Sequence, residues 1–261
     1  MTSPSSDRVA DIVAASGKRV VCVAFGMRTG STLLCHDLAE LVGGTVHGEL
    51  FQEPGYPSDP GGIAEHVGAA LALDPAEVFV FKISWSQAWE LRSRLAGAGG
   101  DPWAVSLPAL FPGARFLHLR RLDKAAQTVS AWRARSTGQW HVPGDDDLAP
   151  ADLRDLRPED LLADLLVMAS EEHRWWTQFR DWGTEALDLT YEDYTSHRLA
   201  TLREVAGFLD LPLPTAITWP EPLRKLAGPD TDAAVEQLRR RLRRALPSLV
   251  GRTGRLRGRV G

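Results

Sequence analysis

The chain has 261 residues, 44% of them apolar and 25% charged, a length that fits one large domain or two small ones and buries a core without metals or disulfides. This composition excludes a collagen, a wholly disordered chain and a disulfide scaffold. The net charge of −4 is unevenly spread: from Arg239 to the end there are nine Arg and no acid, leaving −13 on the first 238 residues. A globally basic nucleic-acid binder is thereby excluded, and only the C-terminus is locally basic.

Residues 1–18 read as a polar, flexible tail with room for a short helix. Arg19 to Phe25 is a short, apolar, β-branched run, the pattern of a buried parallel strand. Gly26 to Gly30 is a loop, and Ser31 opens a helix whose apolar face is Leu33, Leu34, Leu38 and Leu41. The Gly/Pro-rich stretch from Gly43 to Gly62 is long enough for an active-site loop. Glu77–Ile83 reads as a second strand, with a helix around Gln87–Leu95. Arg115–Leu119 reads as a third strand, with a helix over Asp123–Ser136. The polar, Pro-rich segment 137–157 is expected to be a mobile lid, followed by a long helix from Pro158 to Trp182. Ala186–Leu189 is the fourth expected strand, Leu199–Leu209 a helix, and Thr231–Leu246 the last helix before a basic tail at 247–261.

Strands alternating with helices predict an α/β fold, a central parallel sheet flanked by helices, here as one domain over residues 19–246. Ligands of such sheets bind at the carboxyl ends of the strands, so the residues just after each strand matter most. The first of these loops reads Gly26-Met27-Arg28-Thr29-Gly30-Ser31-Thr32. Strand, loop and helix follow one another as in a P-loop, and N–H groups at the helix start favour an anion. The Walker pattern GxxxxGK[ST] is absent, and Arg28 supplies the cation earlier in the loop. An arginine fork suits phosphate or sulfonate oxygens. Arg121 follows the third strand and Ser130 comes nine residues later on the next helix, where together they could hold a second anion. Cys22 and Cys35 lie in apolar runs and read as buried free thiols. With no CxxC, no HExxH and seven scattered His, no metal site is expected. No apolar run approaches the roughly 20 residues that span a bilayer, and the N-terminus lacks a signal-peptide pattern, so a cytoplasmic protein is expected.

RTGSTLLC, then GELFQ, FKISWSQ, RRLDKAAQTVSAWRA with STGQWH, EEHRWW and TYEDY occur in that order between residues 20 and about 195, and KLAGPDTD precedes the last helix. This ordered set resembles the trehalose 2-sulfotransferase (Stf0-like) family, which moves a sulfuryl group from 3′-phosphoadenosine 5′-phosphosulfate (PAPS) to a hydroxyl. The resemblance implies a P-loop-like sulfotransferase fold. It places the 5′-phosphosulfate on Arg28, Thr29, Gly30, Ser31 and Thr32, and the 3′-phosphate on Arg121 and Ser130. Lys225, with Arg224, falls near a family arginine. The family's general base, a glutamate in a Glu-Phe-Phe context, aligns with Glu49 of Glu49-Leu50-Phe51, and Glu53 competes for the role. A sugar hydroxyl is a poor nucleophile, so a carboxylate must take its proton. Arg28 is expected to stabilise the leaving phosphate and Lys82 to assist at the sulfonate. Family members can be homodimers.

Of the nine Trp, Trp175 and Trp176 are expected in the core. Trp85 and Gln87 are assigned to the acceptor pocket, and Trp140 with His141 to the lid, since aromatic faces stack on sugar rings. The acceptor is a small hydroxyl compound, a carbohydrate, glycolipid or natural product; Glu-Leu-Phe in place of Glu-Phe-Phe makes trehalose one candidate among several. A kinase would need the missing Walker lysine. A silent nucleotide-binding protein would be indifferent to Glu49→Gln. The first five Arg after residue 238 are expected on a solvated helix face. Arg252, Arg255 and Arg257 resemble the C-terminal basic loop that closes over the 3′-phosphate in other sulfotransferases.

Overall fold

The computed structural model describes residues 4–52, 55–140, 158–212 and 229–256. The fold divides into two compact units, Met1–Leu122 with Ser170–Pro222, and Asp123–Ala169 with Leu223–Gly261.

The first unit is built on four parallel strands, β1 (Arg19–Phe25), β2 (Val78–Ser84), β3 (Arg115–Arg120) and β4 (Ala186–Thr190), in the order β2-β1-β3-β4. Register pairs Phe25 with Ser84 and with Leu119, and Arg120 with Thr190, so the carboxyl ends lie level. The two-residue period of the strands sorts side chains between two buried layers. Cys22, Ala24, Phe79, Phe81, Ile83 and Phe116 pack on one face with Trp175 and Phe179. Val21, Val23, Val80, Leu117 and Leu119 pack on the other with Leu34, Leu38, Leu202 and Val205. Burial on both faces explains why the strands read as unbroken apolar runs.

Around the sheet stand α1 (Pro4–Ala15), α2 (Ser31–Val42), α3 (Pro60–Leu73), α4 (Trp85–Ala96) and α5 (Leu107–Leu110), with a 3₁₀ turn at Pro102–Ala104. In chain order α6 (Lys124–Thr137), α7 (Pro158–Asp181), α8 (Tyr191–Ser196), α9 (Arg198–Phe208) and α10 (Pro229–Leu256) follow. The helix allowed for in the N-terminal stretch is α1, and it is no loose tail, because Val9 and Val13, one helical turn apart, are buried in the core. The loop expected through Gly62 ends at Asp59, whose carboxylate caps α3 by accepting from Gly62 N at 2.8 Å. Pro60 occupies the first turn and Ile63, Ala64, Val67, Ala70 and Leu71 form the buried stripe of a helix absent from the sequence reading. The last helix runs past the expected Leu246 to Leu256.

In the second unit α6 and α10 bring Ala125, Val129, Trp132, Ala234, Val235 and Leu238 into one apolar cluster with Leu161. Arg133 Nη1 donates to Thr231 Oγ1 at 3.1 Å. Arg239, Arg240, Arg241, Arg243 and Arg244 are exposed, as expected of a solvated face. The expected lid falls almost wholly on residues 141–157, outside the described residues. Among the described residues no helix is long and apolar enough to cross a membrane.

Candidate active site

The first loop is shaped by two left-handed residues. Gly30 has φ 85 and Arg28 has φ 64, the latter uncommon for any side-chain-bearing residue. Thr29 is buried, and its Oγ1 donates to Gly26 O at 2.8 Å, so this hydroxyl closes the loop. A Cβ on Gly30 would meet Tyr191 Cδ2 at 2.7 Å. Gly30 is thus needed both for its dihedral and for the ring against it. As the N-cap of α2 it offers no side-chain cap, leaving the first-turn N–H groups of Ser31, Thr32 and Leu33 without intrahelical acceptors. That is the arrangement that binds phosphate at a helix start.

Long-range contacts hold this loop. Trp175 Nε1 donates to Phe25 O at 3.2 Å, fixing the strand end. Arg121, just past β3, donates through Nη1 to Arg28 O at 3.3 Å and lies over the Tyr191 ring, 4.5 Å from its centroid. β1 and β3 are neighbours whose following connections lead to opposite sides of the sheet, the switch point where open α/β sheets bind ligands. Burial, reinforced by repulsion from Arg121 and opposed by Tyr191, lowers the Arg28 pKa to about 10. The guanidinium remains charged at neutral pH, and an anion at this edge relieves both the burial and the repulsion.

Beside the loop lies a second cluster. Lys82 is on β2 with its side chain only 3% exposed. Strand alternation turns it to the α2 side, where Nζ donates to Thr32 Oγ1 at 2.7 Å and to Glu49 Oε1 at 3.3 Å. The ammonium also lies 5.2 Å from the centre of the Phe25 ring. A buried cation needs such partners to offset its lost hydration. Glu49 makes a parallel bridge with Lys82, which brings its carboxylate to the carboxyl end of the sheet. Gln87 Nε2 donates to the other carboxylate oxygen at 2.5 Å. Behind this cluster, burial raises the Cys35 thiol to about 12, Lys82 pulling it down and Glu49 pushing it up. Cys22 is likewise raised by burial, and both cysteines are free and buried.

The structure therefore gathers Arg28, Thr29, Gly30, Ser31, Thr32, Glu49, Lys82, Gln87 and Arg121 in the first unit. Ser130 stands half-buried on α6, in the second unit. Trp85 is 5% exposed and sits edge-on to Trp175 with ring centroids 5.3 Å apart, a core position. Trp175 is in the core as expected, whereas Trp176 is 59% exposed. Trp140 is exposed. Glu53, His141, Arg224, Lys225 and Arg257 lie outside the described residues, as do the side chains of Arg252 and Arg255. Tyr191 carried no assigned role in the sequence reading, although its motif, TYEDY, directly follows the fourth strand. Among the described residues no group of three or more His, Cys, Asp or Glu is placed to hold a metal ion.

The first unit is thus a parallel α/β sheet with a glycine-shaped loop, a helix start without a side-chain cap and two arginines at the carboxyl edge of its switch point. A model of the Stf0 sulphotransferase family matches residues 63–241. The chain belongs to this family of sulfuryl-transferring enzymes. The matched span contains Lys82, Gln87, Arg121, Ser130 and Tyr191, and begins after the first loop and Glu49. No curated protein matches the chain.

Proposed function

We propose that the protein transfers a sulfuryl group from PAPS to the hydroxyl of a carbohydrate, glycolipid or natural-product acceptor, with Glu49 as general base. The observation that carries this reading is the hydrogen-bonded line from the loop to the carboxylate: Thr32, Lys82 and Glu49. Anion cradle, cation and base thus meet at one strand end.

The donor set fits the nucleotide. The N–H groups at the start of α2, with Arg28, suit the 5′-phosphosulfate, and Arg121 suits the 3′-phosphate. When bound, PAPS supplies an activated sulfuryl group with a phosphate leaving group. Arg28 would neutralise the charge that grows on that phosphate. Lys82 would serve the sulfonate oxygens, and its departure from Glu49 would free one carboxylate oxygen. Glu49 then accepts the hydroxyl proton, assistance typically worth roughly 10²–10⁴-fold. As in phosphoryl transfer, positioning and charge neutralisation supply most of the acceleration. A homodimer is the assembly the resemblance allows.

Incubation with PAPS and a panel of hydroxylated metabolites tests the reaction, with mass spectrometry expected to show one acceptor gaining a single SO₃ group. Glu49→Gln tests the base: turnover falls by at least about a hundredfold while nucleotide affinity holds. Near-normal turnover in that variant removes Glu49 from the role.

A further inference from the structure

We propose that Gln87 is a positioning residue for Glu49, and that it acts by tying the carboxylate to the first turn of α4. The inference rests on the reading of Glu49 as base, and it replaces the acceptor-pocket role expected for Gln87.

Gln87 is the N3 residue of a capping box. Its Oε1 accepts from Ser84 N at 2.9 Å, while Ser84 Oγ accepts from Gln87 N at 3.3 Å. This settles the orientation of the amide, because only its oxygen can accept from a backbone N–H. The amide nitrogen is therefore the end that faces Glu49, at 2.5 Å from Oε2. One side chain thus completes a helix cap on one end and holds a carboxylate on the other.

Glu49 needs such a hold because it lies between α2 and α3 on a segment whose regular pairing, among the described residues, is one bridge to Lys82. Its two carboxylate oxygens have different partners, a cation on Oε1 and an amide on Oε2. The two tethers differ in what an arriving sulfonate does to them. Lys82 is charged and is drawn to the new anion. Gln87 is neutral, is anchored through Ser84 N, and stays. After Lys82 turns away, Gln87 is what keeps the carboxylate aimed while its remaining lone pairs face the acceptor hydroxyl. A misplacement of about 1 Å in a reacting group can cost on the order of 10²-fold, so the loss of this tether belongs in turnover.

The test compares four single variants and one double variant in the PAPS assay, using the panel member that gains SO₃. Gln87→Met keeps the volume and loses both hydrogen bonds. Gln87→Ala serves as the second variant should packing be at fault. Both are expected to lower kcat by about 10- to 100-fold, with the dissociation constant for 3′-phosphoadenosine 5′-phosphate changed less than about twofold. Ser84→Ala removes the other half of the capping box, a loss worth about 1 kcal/mol of helix stability, and leaves Glu49 untouched. It is expected to lower the melting temperature by no more than Gln87→Met does, since it loses one bond of the cap and not the one to the carboxylate, and to keep wild-type kcat. Equal kcat losses in Ser84→Ala and Gln87→Met overturn the inference, since a helix cap alone then explains both. So does a Gln87→Met enzyme within about twofold of wild type. Glu49→Gln in the same assay separates the two readings. If it is inactive while Gln87→Met is normal, only the positioning role fails; if it is active, the base itself fails. Gln87→Met added to Glu49→Gln should cost no further turnover, because the amide has no carboxylate left to aim.

Discussion

Arg28 and Arg121 act as a pair before any ligand arrives. Arg28 holds a left-handed backbone, φ 64, a conformation costing roughly 1–2 kcal/mol for a residue with a Cβ. Arg121 donates to its carbonyl and stacks on Tyr191, the ring that also forbids a side chain on Gly30. Arg121→Ala should therefore weaken every nucleotide somewhat by loosening the loop. It should weaken 3′-phosphoadenosine 5′-phosphate at least about tenfold more than its analogue lacking the 3′-phosphate, since a hydrogen bond to a charged group contributes about 1.5–3 kcal/mol. Titration calorimetry with both nucleotides measures the difference, and equal losses sink the 3′-phosphate assignment. Both arginines were legible in the sequence because position after a strand end is a local property. Tyr191 was not. An aromatic residue after a strand usually enters the core, and its approach to Gly30 depends on β4 lying two strands from β1. Gln87 was legible only as a neighbour of the site, because its role needs a helix cap and a distant loop to coincide.

The strands were legible almost to the residue, since burial on both faces writes an apolar run that no surface element would carry. The weak element is β4, where Asp188 breaks the run. Its carboxylate meets His118 Nδ1 at 3.3 Å and Arg120 Nη2 at 2.7 Å across the β3–β4 pair. Burial works against the charge, but hydrogen bonds from His118 and Arg120 outweigh it and hold the carboxyl at about 2. A folded-state value below the ordinary one of about 3.9 stabilises the fold above about pH 4, and that stabilisation is lost as pH falls toward about 2. Asp188 has a side chain 44% exposed, so solvent screens the pair and salt weakens it further. The Tm gap between wild type and Asp188→Asn should be widest near neutral pH and low salt, and should shrink between about pH 4 and pH 2. A gap that ignores pH across that window assigns the stabilisation elsewhere. Helix α3 escaped the sequence reading for an opposite reason. Its start lies inside a Gly/Pro-rich stretch, and Pro60, Gly61 and Gly62 read as loop until Asp59 is seen capping them.

At the scale of the whole chain, net charge says little about which arginines stand at the strand ends. The nine arginines after residue 238 dominate the charge map, yet the two at the switch point lie far from them in sequence. The N-terminus misled in the other direction. Polar residues surround Val9 and Val13 there, so the segment reads as a tail, and only its packing on the sheet domain reveals a core helix. α1 packs against α3 and α5, the former through Ile12 and Gly68. Its surface pair, Arg8 with Glu65 at 3.1 Å, is exposed and adds at most about 1 kcal/mol. Most of the stabilisation must come from the apolar face, Val9 and Val13 with the partly buried Ile12. Burying each valine contributes about 1.5–3 kcal/mol, or about 3–6 kcal/mol together as an upper figure, because an unfolded chain already hides some apolar surface. For a chain of this size about 1 kcal/mol moves Tm by about 2–4 °C. Deleting residues 1–16 should then lower Tm by about 6 °C, whereas Arg8→Ala should leave it nearly unchanged. Circular-dichroism melting of the two variants beside wild type decides the matter. A truncated chain melting within about 2 °C of the full one would mean that α1 merely rests on the surface it covers.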